Sequence, residues 1–100
     1  MISVGAPGRQ QFTLTDGILG SGSRPCRVFA VYQISGTSTA AVTILRDGLT
    51  VGATKQLQVD GTSSKGTNWA DAQGLLFPNG CFVDVDVNTA NVTVSYMEEV

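Results

Sequence analysis

The chain has 100 residues, with six Lys or Arg against eight Asp or Glu, a net charge of −2 and no histidine. That length allows one domain and one core. The charge balance, with no basic cluster, excludes a phosphate-backbone binder, which needs several cationic side chains acting together.

Charged residues make up only 14% of the chain, well below the roughly 25% of average globular proteins. Thr, Ser, Gly and Val take their place, a β-rich and turn-rich composition. Residues 1–8 have neither a basic start nor a long apolar run, and nothing approaches the roughly 20 apolar residues of a membrane-spanning helix. A soluble protein made in a cytoplasm is expected.

In chain order, residues 1–11 carry Gly5, Pro7 and Gly8 without periodicity and read as an extended N-terminal arm outside the core. Residues 12–100 then form one β domain. Residues 12–15 alternate briefly up to an Asp16-Gly17 turn, and 17–25 read as a glycine-rich loop. Residues 26–34 are apolar on both faces, with Val28, Ala30, Tyr32 and Ile34 on one and Phe29 and Val31 on the other, which predicts a central strand. Residues 41–46 form the next strand, and Asp47-Gly48 predicts a two-residue hairpin turn into an outer strand over 49–59 with Leu57 and Val59 inward.

Residues 60–73 are polar and read as the longest loop, with at most one helical turn around Trp69-Ala70-Asp71-Ala72. Leu75-Leu76-Phe77 is a short strand and Pro78-Asn79-Gly80 a type I turn. In residues 80–96, Val83, Val85 and Val87 alternate with Asp84 and Asp86, and Val92, Val94 and Tyr96 with Thr93 and Ser95. That pattern predicts a closing β-hairpin with one buried face. Six to eight short antiparallel strands, with no segment fit for a crossover helix, predict an all-β sandwich or small barrel of jelly-roll or Ig-like type.

Candidate chemistry is sparse. Without histidine the commonest general base and the Ser-His and Cys-His nucleophile pairs are missing, so no enzyme, cofactor or metal site is expected. Asp84 and Asp86 share a strand face and are the only plausible paired carboxylates; a solvated face that discourages edge stacking is the plainer reading. The glycines of residues 17–23 lack the Lys-Ser/Thr of a phosphate loop. Asn91-Val92-Thr93 matches a glycosylation sequon but falls inside a strand.

Cys26 and Cys81 are too few for a disulfide framework or zinc site. A bridge between them would close a loop of about 55 residues, worth about 4 kcal/mol; two buried thiols in a reducing compartment are the alternative expected here. Their placement invites comparison with immunoglobulin domains, but Trp69 lies far from the strand that would carry the core tryptophan. Trp69 is the one candidate ligand or partner contact, either a stacking platform or a ring that pins its loop to the core. The four Arg of residues 1–50 against six acids in 51–100 could serve contacts between copies or be scatter.

The segment Gly74-Leu75-Leu76-Phe77-Pro78-Asn79-Gly80-Cys81-Phe82-Val83-Asp84-Val85, followed by Ala90-Asn91-Val92-Thr93-Val94-Ser95-Tyr96, resembles small β-sandwich virion proteins of tailed bacteriophages. They share a Gly-apolar-aromatic strand, a Gly turn and a closing Val-Thr-Val-x-Tyr strand. The resemblance implies a structural virion protein made in the bacterial host cytoplasm, most plausibly a capsid decoration or cement protein stabilising capsomer contacts. Its partners would be copies of itself, with a trimer favoured, and the major capsid protein or other virion proteins. The alternative is a tail or fibre-associated carbohydrate- or receptor-binding module. Size, low charge and the N-terminal arm suit a protein that works by packing against neighbours.

Overall fold

The computed structural model describes residues 4–12, 16–22, 24–35, 41–61, 66–85 and 89–99. These residues form eight strands: β1 (Val4–Phe12), β2 (Gly17–Ile18), β3 (Cys26–Ser35), β4 (Val42–Asp47), β5 (Thr54–Asp60), β6 (Gly66–Phe77), β7 (Cys81–Val85) and β8 (Thr89–Glu99). They build two antiparallel four-stranded sheets, β1-β8-β3-β6 (sheet A) and β2-β7-β4-β5 (sheet B). The chain is a β-sandwich, as the short alternating strands predict.

The core lies between the sheets. Leu19, Cys26, Val28, Val31, Leu45, Val59, Phe77, Cys81, Val83, Val92 and Val94 form one buried cluster, with Leu57, Trp69, Leu75, Val85 and Tyr96 packed against it. Each buried Val, Leu or Phe side chain contributes about 1.5–3 kcal/mol relative to exposure. A polar tie crosses this core. Gln33 of β3 and Thr43 of β4 are both fully buried; the Thr43 hydroxyl donates to Gln33 Oε1, and Gln33 Nε2 donates to the Ala41 carbonyl at 3.0 Å.

β3 is the interior strand expected, between β8 and β6, but its faces differ from simple alternation. The register of β3 against β8 shifts between Val28 and Ala30, so Phe29 is an extra residue that β8 does not match. Such a bulge reverses the parity of everything after it. Cys26 and Val28 point inward before it, Val31 and Gln33 after it, and Tyr32 turns out to solvent instead of sharing Val28's face.

Several expectations are corrected. The predicted closing hairpin does not form: β7 lies in sheet B and β8 in sheet A, so the two strands face each other across the core instead of pairing. Alternation identifies the apolar face of a strand but not which strand lies beside it, and Val83, Val92 and Val94 are buried either way. Of the expected arm over 1–11, residues 1–3 lie outside the described residues and the rest belongs to edge strand β1 (Val4–Phe12), paired along β8 from Pro7↔Met97 to Phe12↔Val92. The expected strand over 12–15 falls on 13–15, outside the described residues, and Gly17-Ile18 is strand β2 and not a turn.

The loop and helical turn expected over 60–73 are replaced from Gly66 onward by β6, which pairs with β3 from Ile34↔Gly66 to Ala30↔Ala70 and again from Val28↔Leu75 to Cys26↔Phe77. Between these runs Asp71-Ala72-Gln73-Gly74 bulge outward, where the Asp71 carboxylate accepts from the Gln73 amide at 3.0 Å and Gly74 takes φ +80°. Tertiary pairing overrides the weak helical preference of so short a segment.

β4 and β5 do pair, but through residues 48–53 and not a two-residue turn. Asp47 is engaged elsewhere, accepting from the amide and side chain of Asn79 at 2.9 and 3.1 Å. The turn at Pro78-Asn79 closes as expected, with Gly80 N bonded to the Phe77 carbonyl at 3.2 Å.

Candidate functional site

The paired-carboxylate candidate does not hold together. Asp84 lies on the outer face of sheet B, where its Oδ2 accepts from Arg46 Nη2 at 2.9 Å and Nε at 3.2 Å, while Arg46 Nη1 reaches the Ala53 carbonyl at 3.1 Å. The Asp84 carboxylate is committed to a neighbouring guanidinium, and Asp86 lies outside the described residues. Arg27 likewise pairs with Glu99, at 2.6 Å on sheet A. The uneven charges of the two chain halves therefore meet within one molecule at these two bridges. Among the described residues no group of three or more Cys, Asp or Glu could hold a metal ion.

The thiols are buried and free. Cys26 begins β3 in one sheet and Cys81 begins β7 in the other, and Leu19 lies between them: its amide donates to the Cys81 carbonyl at 2.9 Å and its carbonyl faces Cys26 Sγ at 3.7 Å. Burial first, then the Glu98 charge, pushes the Cys26 thiol up to about 11. Burial, followed by Cys26 and Asp47, raises Cys81 as well. Thiols held protonated in this way are poor nucleophiles. The glycine-rich loop is no anion cradle: Leu19 at its centre is fully buried, and the Ser21 amide donates to a carboxylate oxygen of Glu98.

Trp69 pairs with buried Val31 in the β3–β6 register and packs against the core cluster. Its ring is a partly buried wall of the core. The aromatic ring offered to solvent is Tyr32, 44% exposed on the outer face of sheet A. Pairwise register places Asn68 and Thr93 on either side of it, with the row of Ala30, Ala70 and Ser95 next to it in one direction along the strands and the row of Ile34, Gly66 and Asn91 in the other. The tyrosine ring lies down across β6: a Cβ built on Gly66 would meet the Tyr32 hydroxyl and stand 2.8 Å from Cζ. Only glycine permits that approach.

A second surface stands at the end of the sandwich formed by residues 18–22, 48–53 and 78–80. Of the four large hydrophobic side chains exposed among the described residues, Ile18, Leu49 and Val51 gather here and only Tyr32 does not. Gly22 and Gly80 let the apolar side chains close in, since a Cβ on Gly22 would stand 3.0 Å from Ile18 Cγ2 and one on Gly80 2.7 Å from Leu49 Cδ2. Gly48 N bonds to the Gly80 carbonyl at 3.1 Å and ties the two turns together.

Sequence reasoning missed Tyr32 because the bulge at Phe29 is invisible without the partner strand. The available signal was Gln33, a polar residue within an otherwise apolar run. No family model matches the chain, and neither a curated protein nor a solved structure matches it.

Proposed function

We propose that this chain is a structural virion protein of a tailed bacteriophage, of the capsid decoration or cement type, which packs against copies of itself and against the major capsid protein. The virion assignment rests on the resemblance of residues 74–85 and 90–96. Working through protein contacts rests on one observation: Ile18, Leu49 and Val51 are exposed together at one end of the sandwich, and grouped exposed apolar side chains mark association surfaces. The edge strand β1, bonded to β8 on one side, offers a second contact along the sheet.

Sedimentation equilibrium at a concentration of about 100 μM tests the reading. A trimer is expected, dispersed to monomers by Leu49→Asp with Val51→Asp. A monomer in the unsubstituted chain overturns self-association. Occupancy on capsids is then read by cryo-electron microscopy with residues 1–6 removed, which leaves the Pro7–Phe12 pairing to β8 in place.

The alternative, a tail- or fibre-associated carbohydrate-binding module, loses the Trp69 platform because that ring packs on the core. The exposed ring of Tyr32 keeps the alternative in play.

A further inference from the structure

We propose that the outer face of sheet A around Tyr32 is a binding site for a neutral carbohydrate. The ring reaches across to Gly66, with its hydroxyl and Cζ against that residue, and Tyr32 is still 44% exposed, which leaves aromatic surface on which a pyranose ring can stack. Ala30, Ala70 and Gly66 are its small neighbours and partly buried Ile34 stands in the row of Gly66, so Tyr32 is the one large side chain exposed among them.

Asn68 and Thr93 flank Tyr32 on the neighbouring strands, with Asn91 one row further on. Two amides and a hydroxyl supply donors and acceptors of the kind sugar hydroxyls pair with. At the usual strand spacing, the row from Asn68 through Tyr32 to Thr93 spans roughly 10 Å, the reach of a short oligosaccharide segment.

Charge selects the occupant. None of the residues named on this face is ionisable in the neutral range, and Asp71 stands at its rim in the bulge beyond Ala70. The Arg27–Glu99 bridge is at the far end of the same sheet, beyond the Phe29 bulge. An ionic ligand finds no counter-charge beside the ring. A protein partner is better served by the apolar end around Leu49 and Val51.

Tyr32 also lies against Gly66, which itself stays exposed, a stabilising contact familiar for aromatics beside strand glycines. That role uses the covered side of the ring and leaves the other side open, so the experiment separates the two. Full-length protein labelled with ¹⁵N is titrated with neutral malto-, cello- and chito-oligosaccharides to about 20 mM, the range where single-platform affinities fall. Saturable shifts at Tyr32, Asn68 and Thr93 with one of the three series are expected. Tyr32→Ala should weaken binding at least about tenfold, and Tyr32→Phe should hold it within about threefold, each with an unchanged far-UV spectrum.

The proposal is overturned by the absence of saturable shifts in all three series, by equal binding in Tyr32→Ala, or by shifts centred on Leu49 and Val51 instead. Shifts at Tyr32 that follow protein concentration without sugar would assign the face to a second copy and also overturn it. The test is independent of the trimer measurement, so failure of either leaves the other standing.

Discussion

The two sheets of this sandwich bury similar side chains and present different chemistry to solvent. Sheet B is laced on its outer face by Arg46 and Asp84, and its edge strand β5 carries Lys55, Gln58 and Asp60 bonded in a row at 3.0 and 2.8 Å. Sheet A centres on uncharged Tyr32, Asn68 and Thr93 and keeps its ion pair at one end. Sheet B spends its outer polar groups on one another. In sheet A, bulges at Phe29 and at residues 71–74 break the ladder; the first turns an aromatic outward, and the second interrupts the free edge of β6 that would otherwise invite pairing. Sheet B is interrupted too, at Gln56 opposite Leu45 and Arg46, but only in sheet A does an interruption turn an aromatic ring to solvent.

The largest expected effect comes from cutting what joins the sheets. Gln33→Ala removes buried volume and orphans the Thr43 hydroxyl, while the Ala41 carbonyl keeps only the Gly61 amide at 2.7 Å, a loss of about 3 kcal/mol in urea denaturation. Gln33→Met combined with Thr43→Val should recover most of it, because apolar replacement of both partners is nearly neutral. Full recovery from Gln33→Met alone would deny the tie.

Alkaline pH comes next and acts on both sheets through their cysteines. The Cys26 thiol titrates at about 11 when folded and at about 8.5 when unfolded, so the unfolded chain releases its proton first. Stability is complete below the unfolded value and falls as pH rises toward about 11. Thermal melts between those limits should show the decline, and Cys26→Ala should lessen it, leaving the part that Cys81 carries. At neutral pH both thiols should resist an aromatic disulfide reagent until the protein unfolds.

The smallest effect separates the faces directly. Arg46→Met on sheet B should cost about 1 kcal/mol, because Asp84 and the Ala53 carbonyl lose a shared donor. Arg27→Met on sheet A breaks a more exposed bridge and should cost less than about 0.5 kcal/mol. Equal losses by denaturation would erase the distinction drawn between the sheets.

Much of the strand inventory was legible because a half-buried strand must alternate: Leu57 and Val59 on β5 and Val83 on β7 point as expected. Pairing was not legible. Residues 80–96 contain two good strands and a short connection, which describe a hairpin and a sheet-to-sheet crossing equally well; the choice is made by β3 and β4, distant in sequence. Residues 66–70 carry Gly, Thr, Asn, Trp and Ala and read as loop because their inward members, Thr67 and Trp69, are too polar or too isolated to mark a face. The candidate binding face was lost for a related reason: its parity depends on one unmatched residue, Phe29.

The crossing from β7 to β8 also bears on how the molecule assembles. β8 is the last strand in chain order, yet it sits inside sheet A between β1, the first strand, and β3. Before β8 arrives, β1 lacks its only neighbour and β3 one of its two. Sheet B can pair β4 with β5, and then β7 with β4 and β2, before β8 emerges. Folding is thus expected to proceed from sheet B to sheet A, slowly for the chain's length because its decisive contacts are distant in sequence, with the carbohydrate face among the last features to form.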